Sequence, residues 1–320
     1  MNLLPPTCAF GSAVTWAVAS VGYSSLSKEY SVFSLNFARA MIALPLCVVS
    51  AFLVSGGYDS GLLSYQSLNL QNFEWLGLSM VASYGLGDAS FFLSTRYLGV
   101  LSALAISSCY PIWTIFMGSL YSAEDVSLLQ LCGVGVTILG LITVILNRSR
   151  TNNEPSASGL SGGLSGDLSG TSAGLKKWSL FLGVGLATFA SILWAINSFA
   201  TAKGGMGIIT PVGNTVRMMF ALFLTAGLGR FLTPASSLVL PRRILRKFFW
   251  VFVLEAFAGS YMYVYGMSNS SLAVGATLSS LSPVVSVPVA VLFGIEKFSI
   301  LRTLGVCITV AGVSLLVGQM

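Results

Sequence analysis

The sequence contains no histidine. That excludes imidazole general bases, histidine triads and His-ligated zinc sites. Charge is also scarce. Asp, Glu, Lys and Arg make up 8% of the 320 residues, against about 25% in a soluble globular protein. A soluble fold of this length could not cover its surface with so few charged side chains. With 55% hydrophobic residues and a mean hydropathy of +0.85, the solvent for most of the chain is lipid. The cysteines form no Cys-x-x-Cys pair and lie in or beside apolar runs, where they read as small buried hydrophobes. No phosphate-binding G-x-x-x-x-G-K-[ST] loop is present, and the two G-x-S-x-G matches, Gly159–Gly163 and Gly170–Gly174, fall in a Gly/Ser-rich low-complexity stretch and not at a strand-to-helix turn, so an enzyme, an ATP-driven pump and a resident cofactor are not expected. The net charge of +6 does not signal nucleic-acid binding, because the basic residues mark the ends of apolar runs instead of lining a groove.

What the chain has is long apolar runs. About 20 such residues cross the hydrocarbon core as a helix. Ten runs predict spans at roughly 7–25, 32–54, 74–94, 100–120, 127–147, 178–198, 208–229, 248–266, 272–293 and 300–318. They are continuous and lack the alternation of barrel strands. No basic side chain precedes the first run, so it reads as a retained helix and not a cleaved signal. Residues 148–177 break the pattern. They read RSRTNNEPSASGLSGGLSGDLSGTSAGLKK, a Gly/Ser-rich flexible linker between two halves, 1–147 and 178–320.

The halves repeat each other. Trp16-Ala17 aligns with Trp194-Ala195, and Asn36, Arg39, Met41 and Ala43 align at the same offset with Asn214, Arg217, Met219 and Ala221. Further along, a slightly shorter constant offset aligns Ser107, Ser108 and Pro111 with Ser279, Ser280 and Pro283. It also aligns Glu124, Ser127, Gly133, Thr137 and Gly140 with Glu296, Ser299, Gly305, Thr309 and Gly312. Each half holds an odd number of spans, so the second enters the membrane from the opposite side. The expected fold is all-α and integral to the membrane: ten transmembrane helices as two inverted five-helix repeats. Inverted repeats characterise secondary transporters.

These residues resemble the EamA type of the drug/metabolite transporter superfamily. The resemblance rests on E-x-x-S-x-x-[QR]-x-x-G-x-x-x-T-x-x-G, present from Glu124 to Gly140 and again from Glu296 to Gly312, and on the R-x-x-x-A of Arg39/Ala43 and Arg217/Ala221. It implies a transporter of small organic metabolites, often an exporter, in the cell membrane. The expected cargo is an amino acid or related compound. An organic-phosphate or nucleotide-sugar exchanger is the alternative within transport, and a scaffold or channel the alternative outside it. Monomer and homodimer both stay open.

Four ionisable residues fall inside apolar runs: Arg39, Arg217, Asp88 and Glu255. A charge at mid-bilayer costs at least about 2.5–3.5 kcal/mol and is tolerated when paired or facing a wet cavity. Two readings follow: two structural ion pairs, or groups lining the translocation path. Arg39 and Arg217 are repeat-related, and Asn36 and Asn214 share their helical faces. Guanidinium forks suit carboxylate or phosphate groups. Asp88 and Glu255 have no clear counterparts in the opposite halves, and either could exchange protons as the coupling ion. Tyr84 stands one turn before Asp88. Trp16 and Trp194 lie near mid-span, to pack between the halves or to wall a cavity. Pro111 and Pro283 are expected hinges, with the preceding serines satisfying freed carbonyls. Glu124 and Glu296 are expected helix caps, and the glycines near Thr137 and Thr309 permit close helix packing.

Loop charge sets orientation. With external termini, every loop Lys and Arg except Lys203 is cytoplasmic. The family resemblance implies cytoplasmic termini instead. A C-terminal reporter active only in the cytoplasm should be silent and one active only outside should give signal. The reverse result would show that the loop charges do not govern insertion.

Overall fold

The structure, a computed structural model, describes residues 3–27, 29–121, 127–149, 171–232, 238–285 and 300–317. The expected caps Glu124 and Glu296, and residues 150–170 of the linker, lie outside the described residues. The described chain is helical. In order come α1 (Leu4–Leu26), α2 (Val32–Val54), α3 (Tyr58–Gln66), α4 (Leu70–Met80), α5 (Asp88–Ser107), α6 (Tyr110–Tyr121) and α7 (Leu128–Ser149). Then follow α8 (Thr171–Gly204), α9 (Thr210–Leu232), α10 (Arg242–Phe252), α11 (Ser260–Asn269), α12 (Leu272–Ser279) and α13 (Ile300–Val317). Among the described residues, 32–54, 70–98, 178–204, 210–232 and 242–269 are helical stretches long and apolar enough to cross a bilayer.

Local chemistry explains several boundaries. Proline at the start of α1 costs no helical hydrogen bond. The Ser31 hydroxyl accepts from the Phe33 N–H and begins α2. Asn69 and Asn72 form a reciprocal capping box at α4. Asn72 also donates to the carbonyls of Gly204 and Met206 at the end of α8, which ties the two halves together.

Two wide turns position the candidate acids, one ending just before Asp88 and the other containing Glu255. Val81–Gly87 joins α4 to α5, and Val253–Gly259 joins α10 to α11, each as a π-helical segment. They fall at repeat-aligned positions. A π-turn adds one residue to the helical circuit and is frequent at functional sites. Here it rotates the following turn so that Tyr84, Asp88 and Glu255 face inward, all three buried.

The structure corrects the sequence reading at the third and fourth spans. A turn was expected between 94 and 100, yet α5 runs helical to Ser107. No proline and no helix-breaking pair occurs there. In the second half Ser270 and Ser271 occupy the aligned positions, and α11 does end before α12. The interruption in the first half falls instead at Ser108–Cys109, and its aligned counterpart falls at Ser280–Leu281. Pro111 and Pro283 lie just beyond these breaks, in the first turn of a new helix, where their missing N–H is harmless. The short α3 was not expected at all. Its only buried residue is Gly61, so no apolar run announces it.

Repeat-related helices pack on each other, α2 on α9 and α7 on α13, and the contact of α5 with α8 is matched by that of α11 with α1. The tightest approach joins α7 and α13. A Cβ added at Gly140 would collide with Thr309 Oγ1, and one added at Gly312 would collide with Thr137 Oγ1. Each threonine hydroxyl donates back to its own helix, to the carbonyls of Gly133 and Gly305. Small residues thus let two helix backbones touch, the usual means of helix association where lipid removes any hydrophobic drive.

Gly140→Ile should therefore separate α7 from α13. We expect a loss of about 1–3 kcal/mol, read as a lower unfolding midpoint in detergent. Gly135→Ala, which places a Cβ in open space, should leave the midpoint unchanged or raise it, by up to about 1 kcal/mol of helix propensity. Equal effects at both positions would contradict this packing.

Candidate functional site

A cavity enclosing about 120 Å³ lies where the two halves meet. That is far more than one water requires. Its wall includes Trp16 from α1, Arg39 from α2, Tyr84 and Asp88 from the first wide turn and α5, Trp194 from α8, Arg217 from α9 and Glu255 from the second wide turn. The expected site residues therefore converge, with two exceptions. Asn36 and Asn214 stand behind the wall, fully buried, as braces. Pro111 and Pro283 are buried near the wall residues Ser108 and Ser282 but do not line the cavity themselves.

Arg39 is saturated. Its Nε and Nη2 donate to the two carboxylate oxygens of Glu255 at 2.9 and 2.6 Å, a bidentate fork. Its Nη1 donates to Asp88 Oδ2 at 2.8 Å and to Asn36 Oδ1 at 2.7 Å. Asn36 Nδ2 in turn donates to Asp88 and to the Tyr84 carbonyl. The Tyr23 hydroxyl donates to Glu255 at 2.9 Å. The guanidinium carbon lies 4.2 Å from the Tyr84 ring centre, with Trp16 and Tyr23 beside it. One cation thus holds two carboxylates, one from each half of the chain. The reading of two separate ion pairs is corrected: both acids go to Arg39.

Arg217 occupies the matched position and has a different environment. Its Nε donates to Ser79, its Nη1 to Ser260 and its Nη2 to Asn197 Oδ1, all neutral acceptors at 3.1–3.3 Å. Among the described residues no carboxylate lies within 4.0 Å of it. Tyr263 covers one face, its ring centre 5.4 Å away. The repeat explains the difference. Ser260 aligns with Asp88, and Ser83 aligns with Glu255. Hydroxyls stand where the other half supplies carboxylates. Asn214, the partner of Asn36, accepts from Ser260, while its Nδ2 has no partner among the described residues.

Trp16 and Trp194 meet edge to face, 6.1 Å between ring centres, and both border the cavity. The two readings for these residues are compatible, because the same pair packs between the halves and walls the space. The serines before the prolines do not serve as expected. Ser279 and Ser280 donate to the carbonyls of Gly275 and Thr277, and Ser107 reaches across to the Ala187 carbonyl of α8; none of these is a carbonyl that Pro111 or Pro283 would free, because each proline sits in the first turn of a new helix. Sequence reasoning missed Tyr23, Ser79, Asn197 and Tyr263 as ligands of the buried charges. Ser83 and Ser260 could have been found by carrying the second repeat offset back to the two acids.

Removing Arg39 leaves two buried carboxylates without a cation. We expect Arg39→Met to cost about 3–5 kcal/mol of stability. Arg217→Met leaves only neutral hydroxyl and amide groups and should cost about 1 kcal/mol. Unfolding midpoints of the two variants in detergent test this, and the opposite ranking would refute the division between the arginines.

Residues 5–146 and 181–318 match the EamA-like transporter family. The chain is 27% identical over 117 residues to an uncharacterized transporter of Archaeoglobus fulgidus. That alignment covers 37% of this chain and 39% of the relative, so it spans well under half of each. A protein of known crystal structure superposes with a TM-score of 0.70 over 99% of both chains at 15% sequence identity, a likeness of fold. The helical architecture, the apolar spans and the family match over most of both halves agree: this integral, multi-pass membrane protein of the cell membrane belongs to the EamA-like transporter family.

Proposed function

We propose that the protein is a secondary transporter that carries a small organic carboxylate, an amino acid or related compound, by alternating access. In this reading ten spans form two inverted five-helix repeats, 1–147 and 178–320, joined by the linker 148–177. The observation that carries it is Arg217, a buried guanidinium on a cavity wall with no carboxylate partner among the described residues. A buried, unpaired cation is costly in a membrane. A structural scaffold gains nothing from it, whereas an anionic cargo compensates it on arrival. Only three hydrogen bonds occupy the guanidinium's five N–H groups, and the remaining donors are available to a carboxylate.

The charges favour a monoanion over a phosphate. Arg39 is committed to Asp88 and Glu255, so among the described residues Arg217 is the one cation of the cavity left for cargo. The Arg39–Asp88–Glu255 triad carries one negative charge in excess, and Arg217 carries one positive. The charges on the cavity wall balance overall but are polarised. An amino acid matches both ends, its carboxylate on Arg217 and its ammonium toward Glu255, with Trp16 and Trp194 flanking its side chain. A carboxylate without an amine would leave the triad's negative charge uncovered. A proton on Asp88 or Glu255 would then travel with it as the coupling ion. The helix breaks before Pro111 and Pro283 supply the bending points.

The test is reconstitution into liposomes with a mixed pool of labelled amino acids, plain carboxylates and organic phosphates, with and without a pH gradient. Amino-acid uptake should need no pH gradient, and uptake of a plain carboxylate should need one. Arg217→Lys should insert normally yet bind about ten- to a hundredfold more weakly, because losing a charge-assisted fork costs on the order of 1.5–3 kcal/mol. Uptake of organic phosphates alone, or parental transport by Arg217→Lys, would overturn the assignment.

A further inference from the structure

Outside the central cavity, the most distinctive surface is that of α10. Its sequence, RRILRKFFWVF, sorts by face. Ile244, Leu245, Phe248 and Val251 pack against the core. The outward side carries two stripes at helical spacing, Arg242–Arg246–Phe249 and Arg243–Lys247–Trp250. Each is basic for its first two members and aromatic at the third. No acid occurs in α10, and among the described residues no carboxylate lies within 4.0 Å of its four basic side chains. Trp250 is 76% exposed and Phe249 41% exposed.

Beside this helix runs a groove of about 400 Å³, floored by Met41 and Ile42 of α2 and by Leu245, and bordered by Arg242, Arg246, Phe249 and Trp250. The floor is apolar and the cations stand at one end. From Arg246 to Trp250 the helix rises about 6 Å. That separates a phosphate held by the arginines from an acyl chain laid under the aromatic rings. A Trp or Phe one turn below a basic cluster sits at headgroup depth, and basic pockets between membrane helices suit anionic lipid headgroups.

We infer that the α2–α10 groove is a binding site for an anionic phospholipid, its phosphate on Arg242 and Arg246 and an acyl chain against Met41 and Leu245. Arginine suits this task because its planar fork takes two phosphate oxygens at once. The site is separate from the transport cavity, although α10 leads directly into the wide turn that carries Glu255. An occupied groove therefore holds the helix that positions one arm of the triad.

The full-length protein is delipidated and then incubated with vesicles containing equal phosphatidylglycerol and phosphatidylcholine. Retained lipid is counted by mass spectrometry after repurification. The parent should retain phosphatidylglycerol at least tenfold over phosphatidylcholine. Arg242→Gln/Arg246→Gln should lose that preference, while Arg230→Gln, an exposed arginine on α9, should keep it. If the double variant inserts poorly, Met41→Trp fills the groove floor with every charge intact and should reduce phosphatidylglycerol retention. Unselective retention by the parent, or a preference unchanged in both groove variants, would overturn the site. Displacement by millimolar inorganic phosphate would also overturn it, because a bare anion would then suffice.

Discussion

A guanidinium and two carboxylates cannot be left apart in the middle of an apolar bundle. The desolvation penalty of each ion is several kcal/mol, and only close, fully hydrogen-bonded contact offsets it. Arg39, Asp88 and Glu255 meet that condition, with Asn36 and Tyr23 filling further hydrogen-bonding positions. Much of the central architecture follows from it. The wide turn at Val81–Gly87 brings Asp88 to face α2, and the wide turn at Val253–Gly259 brings Glu255 to the same point from the second half. Tyr84 and Trp16 close over the cation. The triad is also a joint between halves, since Glu255 lies far along the chain from the two groups it completes.

The two halves use one frame for two tasks. Each places an Asn and an Arg on the buried face of a helix, and each positions a wide turn opposite. In one case the facing groups are carboxylates and the arginine is neutralised. In the other the aligned positions are serines, Ser260 and Ser79 take N–H groups of the arginine, and no carboxylate among the described residues neutralises it. A repeat scaffold thereby yields a polarised cavity from few changes: Asp88 against Ser260, and Glu255 against Ser83. Two identical copies would have given either two saturated ion clusters or two uncompensated cations, and neither would discriminate one end of a solute from the other.

Much of this was legible in the sequence because it rests on patterns with strong physical penalties. Charges inside apolar runs are rare enough to name Arg39, Arg217, Asp88 and Glu255 directly, and all four reach the cavity. The Gly-x-x-x-Thr-x-x-Gly spacing pointed to the close contact of α7 with α13. Pairing was not legible. Hydropathy says that a buried charge needs a partner and does not say which, so both acids going to Arg39 had to come from tertiary geometry. Ser79 and Asn197 were hidden for a related reason: Ser and Asn are tolerated at many positions in a membrane helix, and only the arriving guanidinium gives these two a purpose. The unbroken run of α5 was missed because a count of apolar residues divides a long helix wherever its length exceeds one bilayer crossing.

The asymmetry restricts how the proposed alternating access can work. In a fully symmetric transporter the second state is the first with the halves exchanged. Here that exchange would bring Arg39 to a serine environment and strand Asp88 and Glu255. Nothing on the Arg217 side could take them up without moving a guanidinium through the core. The low-energy course keeps the triad closed and moves other parts around it. The helix interruptions at Ser108–Cys109 and Ser280–Leu281 suit this, because the bonding there tightens to i→i−3 at Cys109 and Leu281 and the regular α-helical ladder is interrupted, beside residues of the cavity wall. In the proposed cycle the α7–α13 pair, held by reciprocal glycine–threonine contacts, stays together as one body. Under the proposed alternating access, the triad is the fulcrum, the α7–α13 pair the rigid frame, and the breaks before Pro111 and Pro283 the points about which the cavity opens to one side or the other.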